Sequence, residues 1–250
     1  DIGVAMGKRG TDVARAAAAV VLLDDDFTAI VAAMRLGRRI YDNLRKAMAF
    51  IVAVHVPVAG LALLPLLFGT PLIFGPVQIA FLEMIVDPAC TLVFEAEREE
   101  DDIMGRPPRR PDEPLFSPAL LVWAVLQGLV ILALTAGAYV AGLSMGTDAE
   151  RLRGIAFFGA ALGIVSLIFV NRAFGSNLAG LFGHRNRALQ IVVVVVAAVT
   201  GLAILWPASH DFLGIGPLAT IDWLPIAAIP AIALGVLEAV KLLFRRQLHG

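Results

Sequence analysis

The sequence predicts an all-α membrane protein of six transmembrane helices with a small α/β segment at its amino end. Three observations lead there. Of the 250 residues, 59% are hydrophobic and 16% charged, and mean hydropathy is +0.83, whereas soluble domains carry roughly 25% charged residues. The apolar residues gather into runs of about twenty, the length that crosses a hydrocarbon core of roughly 30 Å. Only residues 1–45 depart from this, alternating short apolar stretches with turns. The net charge of −1 gives no bias toward nucleic acid, and no such partner is expected. The lone cysteine, Cys90, excludes an intrachain disulfide framework.

At the amino end, "DIGVAMG" reads as a short strand ending in glycine, and "TDVARAAAA" as a helix that Thr11 can cap. "VVLL" reads as a buried strand, and "DDDF" as a turn whose last aspartate can cap the next helix. Phe27, Ile30, Val31, Met34, Tyr41 and Leu44 recur at helical spacing, with no breaker before the first span. A strand–helix–strand unit this small cannot bury its own core. Residues 1–33 are therefore expected to be the edge of a larger α/β domain, and 34–45 a stalk helix leading into a membrane domain over 46–250. The chain opens on Asp1 without a signal-peptide pattern, and is expected to have lost residues or to be a piece of something longer.

The six spans are expected at about 46–68, 72–94, 118–143, 152–173, 188–206 and 223–244. The links differ in charge. Arg35, Arg38, Arg39, Arg45 and Lys46 precede the first span, and Arg98, Arg106, Arg109 and Arg110 follow the second. Arg172, Arg185 and Arg187 lie between the fourth and fifth, and Arg245 and Arg246 follow the sixth. The opposite links, "GTPL" and "PASHDFLGIGPLATID", hold no Lys or Arg, and only Arg151 and Arg153 dissent. The excess of positive charge on the inner side puts both termini in the cytoplasm.

The second span holds two acids, Glu83 and Asp87, which share one helical face at i and i+4. A charge in mid-membrane costs several kcal/mol and marks an ion path by default. Pro88 follows directly and removes a backbone donor, freeing a carbonyl. Two carboxylates and freed carbonyls suit Ca2+, Mg2+, Mn2+ or an alkali cation. His55, in the first span, is a ligand, a proton carrier in exchange or a hydrogen-bonded bundle residue. Cys90 and Met84 are read as packing, and Ser166 and Asn171 as interhelical hydrogen bonding. Glu95, Glu97 and the "EREEDD" run are read as solvated. Glu238 and Lys241 are expected to snorkel from the end of the last span.

Several segments together resemble one family. "DIGVAMGKRGTDVAR" and "VVLLDDDFTAIVAAMRLGRRIYDNLRKAMAF" resemble the hinge-side end of the phosphorylation domain of P-type cation-transporting ATPases, running into their fifth membrane helix. "FLEMIVDP" resembles the sixth helix, and "DDIMGRPPRRPDEPLFSP" the loop after it in the calcium- and sodium-pump branch. The resemblance covers essentially the whole chain, as the carboxy-terminal half of such a pump. It implies that residues 1–33 are the end of a haloacid dehalogenase-like phosphorylation domain. It implies a cation site on the two helices. Asp87 matches the family's acid, Glu83 replaces an amide, and Val86 gives no side-chain ligand. His55 falls where the fifth helix carries an asparagine, and Val58 where it carries an acid.

Metal contact is accordingly expected at His55, Glu83 and Asp87, with Ca2+ favoured and Mg2+, Mn2+, Na+ or K+ as alternatives. The family's aspartyl-phosphate motif is not in these residues, so ATP and its Mg2+ belong to the intact parent, and the chain alone is expected to be inactive. Its expected partners are the lipid bilayer and the pump's amino-terminal half: nucleotide-binding, actuator and phosphorylation domains and four helices. The plasma membrane is the expected location. The alternatives are an ATP-independent cation channel or transporter, and a regulatory membrane subunit of a pump.

Overall fold

A computed structural model describes residues 2–100, 102–108, 114–172 and 186–248. Asp1, Asp101, Arg109, Arg110, Ala173 and Arg185, all used in the sequence reading, lie outside the described residues. The chain divides into two compact units, 1–42 with 99–108, and 43–98 with 109–250.

In the first unit β1 (Val4–Met6) and β2 (Val20–Leu22) pair in parallel, Ala5 facing Val21, with α1 (Asp12–Ala17) as the crossover. Thr11 caps α1, its hydroxyl accepting from Ala14 N at 3.2 Å. Asp25 takes a left-handed φ of 58° in the turn after β2. Its carboxylate accepts from Lys8 N at 2.8 Å and Arg9 N at 3.0 Å, which closes the turn against the loop after β1. Asp26 starts α2 (Thr28–Phe68) by accepting from the hydroxyl and the N–H of Thr28. These two bonds hold its carboxyl below the usual carboxylate range. Arg38 donates to the carbonyls of Ile103 and Arg106 at 2.7 and 2.8 Å. Arg106 in turn meets Asp42, Glu100 and Asp102 at 2.8, 2.9 and 2.7 Å. Partial burial alone would lower the Arg106 pKa, but the bond to Asp102 and the charges of Asp42 and Glu100 raise it above the ordinary arginine value. Glu100 and Asp102 of the charge run are therefore paired rather than simply solvated, because with Asp42 they share a small space around one arginine.

The second unit is helical: the rest of α2, α3 (Pro76–Pro88) with a π-turn at Ala89–Val93, α4 (Pro118–Ser144), α5 (Ala149–Arg172), α6 (Arg187–Leu205), the short α7 (Pro207–Leu213), a 3-10 turn (Thr220–Asp222) and α8 (Trp223–Leu248). Six of these helices are long and apolar enough to span a membrane. Helix formation satisfies every backbone group locally, which lipid demands. The helix α5 is the axis of this unit: 83% of its apolar window is buried, against 22–39% in the other five. It packs on α4 and α8. Glycines permit this approach. A Cβ on Gly159 would come 2.5 Å from Ile229, and one on Gly128 of α4 would come 2.4 Å from the Ala53 carbonyl of α2. Phe74 and Phe81 pack edge-on against Phe157, and Phe50 lies on Phe94 with centroids 5.4 Å apart. Faces turned away from the bundle carry exposed apolar residues such as Ile191, Val194 and Val195, as a lipid surface requires.

Glu238 and Lys241 do not snorkel: they are buried and joined at 2.8 Å, which neutralises both charges inside the bundle. The dissenting arginines at the start of α5 are also engaged. Arg151 forms a fork on Asp222 at 2.7 Å, and Arg153 donates to the carbonyls of Leu72 and Gly214.

Candidate functional site

His55 lies on α2, which runs unbroken through Pro57 and Pro65. Its Nδ1 is 2.8 Å from the carbonyl of Ile51. A carbonyl only accepts, so Nδ1 carries the proton and Nε2 is turned outward. Nε2 stands 3.8 Å from Glu83 Oε1, too far for a hydrogen bond and close enough for a shared ion. The two side chains are 56% and 36% exposed, so this face is open among the described residues. Asp87, one turn beyond Glu83, is exposed on the same helix. Its main-chain oxygen accepts from the Thr91 hydroxyl at 2.9 Å.

The structure thus brings His55 and Glu83 together and leaves Asp87 beside them without a side-chain partner of its own among the described bonds. No group of three or more His, Cys, Asp and Glu side chains among the described residues is close enough to hold a metal ion. After Pro88 the helix passes into the π-turn at Ala89–Val93, a local change of pitch where a proline and a nearby carboxylate coincide. Cys90 is half-buried in that turn, and Met84 is exposed. Asn171 exchanges two hydrogen bonds with Gln127 of α4, at 2.6 and 3.2 Å, which is the interhelical role expected of it. Ser166 instead donates within α5, to Gly163 O at 2.6 Å.

Sequence reasoning missed one cluster. Glu97, read as solvated, is buried and held by Arg172 and Asn186. A carboxylate at the end of one span and an arginine at the end of another were both visible. Their 75-residue separation hid the pairing.

Residues 71–243 match the family described as "Cation transporting ATPase, C-terminus". Calcium-transporting ATPase 1 of Bacillus cereus is 31% identical over 260 residues, covering 97% of this chain and 29% of the relative. Calcium-transporting ATPase 1 of Lactococcus lactis is 27% identical over 243 residues, covering 96% and 27%. The sodium/potassium-transporting ATPase subunit alpha of Hydra vulgaris is 42% identical over 113 residues, covering 44% and 11%. The chain spans less than a third of the length of these relatives. With six apolar helices and a match over most of its length, the chain is an integral membrane protein that belongs to the P-type cation-transporting ATPase family, in the region of its carboxy terminus.

Proposed function

We propose that this chain is the carboxy-terminal membrane half of an ATP-driven cation pump. His55, Glu83 and Asp87 are its share of the intramembrane cation site, and Ca2+ is the substrate. The observation that carries the reading is the approach of His55 Nε2 to Glu83 Oε1 on an open face, with Asp87 one turn away. Two carboxylates offer hard oxygen donors and enough negative charge to replace part of the hydration of a divalent ion. The Bacillus cereus and Lactococcus lactis relatives are calcium-transporting ATPases, which favours calcium.

In this reading residues 1–33 are the end of the phosphorylation domain, supported by the parallel β1–α1–β2 unit, and 34–45 is the stalk. The helix α2 passes motion of the cytoplasmic domains to His55. The partner is the amino-terminal half of the pump, which binds ATP and Mg2+. Both termini face the cytoplasm, and the pump resides in the plasma membrane.

The test places Glu83→Gln and Asp87→Asn in an intact parent pump. Cation-stimulated phosphorylation should disappear; unchanged cation dependence refutes the site. The purified 250-residue chain should show no ATPase activity, and hydrolysis by it would refute the division of labour.

A further inference from the structure

Pro88 and the π-turn interrupt the backbone ladder of the helix that carries Glu83 and Asp87. Proline supplies no N–H, and in a π-turn each N–H reaches one residue further back. Such an interruption is where a helix bends. Both ends of this helix are tied by buried side chains. At the start, Gln78 accepts from Gly75 N at 2.8 Å and donates to the Leu213 carbonyl. At the exit the tie is Glu97.

The exit is built in detail. Glu97 N bonds Phe94 O at 3.2 Å, a tightened turn, and the Val93 carbonyl instead accepts from Asn186 Nδ2 at 3.0 Å. The same amide reaches Glu97 Oε2 at 2.9 Å. Arg172 grips the carboxylate with Nε at 2.9 Å and Nη2 at 3.2 Å. Asn186 also caps α6 through Leu189 N at 3.1 Å, and Asn43 of α2 donates to the Glu97 main-chain oxygen at 2.9 Å. Glu97, Arg172 and Asn186 are 7%, 4% and 8% exposed. Apolar residues of like volume often fill such a space at least as stably as a buried ion pair. What the carboxylate adds is direction: three donors from α5 and α6 fix the rotation of the exit strand of the turn.

Resting on the cation-site reading above, we infer that Glu97 is a positioning residue for that site. Its carboxylate fastens the far side of the π-turn to α5 and α6, so the bend at Pro88 cannot swivel Glu83 and Asp87 away from His55.

The experiment uses the full chain in lipid nanodiscs, with a nitroxide on Cys90, the single cysteine, which sits in the turn between the acids and Glu97. Two variants are compared: Glu97→Gln, and the apolar pair Glu97→Met with Arg172→Met, which keeps the volume and removes both buried charges. The expected result is a restricted Cys90 spectrum in the wild type and a mobile one in both variants. Binding of radiolabelled Ca2+ should weaken by about tenfold, with the thermal midpoint of the apolar pair unchanged. A restricted spectrum in the apolar pair overturns the inference, as does wild-type calcium affinity in a chain whose turn has loosened. Either outcome leaves the cation site standing. Glu83→Gln is the control: calcium binding indifferent to this change overturns the site itself and the role of Glu97 with it.

Discussion

Replacing Gln127 by leucine removes one half of a reciprocal amide pair that is fully enclosed between α4 and α5. Asn171 then keeps its bond to the Leu167 carbonyl at 2.9 Å, but its Oδ1 and one N–H lose their partners. Both residues are 0% exposed, so no water replaces what is lost. An unsatisfied buried polar group costs about 1–3 kcal/mol. Interhelical hydrogen bonds in membranes average about 0.6 kcal/mol because the unfolded state also finds partners. With two bonds at stake, Gln127→Leu should cost about 1–2 kcal/mol, and Asn171→Leu a similar amount. The double variant leaves no orphan and should lie within about 0.5 kcal/mol of the wild type. A double-mutant cycle by denaturant titration in mixed micelles measures this. With the double near zero, the expected coupling is close to the sum of the two single losses, about 2–4 kcal/mol. Additive single effects would show that the pair contributes packing alone and refute the reasoning.

Further outcomes follow from other contacts. Gly128→Ala drives a Cβ to within 2.4 Å of the Ala53 carbonyl, and a main-chain atom cannot yield as a side chain can. A loss of about 1–3 kcal/mol is expected, whereas Gly137→Ala, where nothing lies within 4 Å, should be neutral in the same titration. Arg106→Ala leaves Asp42, Glu100 and Asp102 without the cation that joins them, so limited proteolysis in 99–108 should accelerate, with partial protection in Arg106→Lys. The Asp26 cap of α2 depends on pH with a fixed sign. Its folded pKa lies below the ordinary value of 3.8, so the cap is fully present above that value and is lost as pH falls through the lower one. The protection factor of the Thr28 amide should fall only at acid pH, and a fall near neutrality would contradict the assignment.

The helices were legible because a membrane span satisfies its backbone within itself: hydropathy alone marks it, and the order of links follows. The strand–helix–strand start was legible for a related reason, since Thr11 and Asp26 cap within three residues of themselves. Side-chain partners were not legible. Glu97 meets Arg172, Arg151 meets Asp222, and Arg153 meets the Leu72 carbonyl, each across tens of residues. A charge at the end of a span looks the same in sequence whether it faces water or a buried partner. Lys241 shows this at short range too: Glu238 stands one turn away, yet nothing in their spacing tells that both are enclosed. For the candidate site, the shared face of Glu83 and Asp87 was readable from their i, i+4 spacing. The distance of His55 from Glu83 depends on how two separate helices pack.

The enclosure of α5 sets a condition on how this protein is made. A helix hydrophobic enough to enter the bilayer as it is synthesised first meets lipid on all sides. Yet the face of α5 at Gly159 is shaped for Ile229, on the last of the six helices to be translated. Until α8 arrives, that face is a notch filled only by acyl chains. Insertion and packing of α5 are therefore separated in time. The newly made bundle passes through a stage at which its central helix is in the membrane but not yet in place, open to whatever quality-control factor or wrong helix fits the notch.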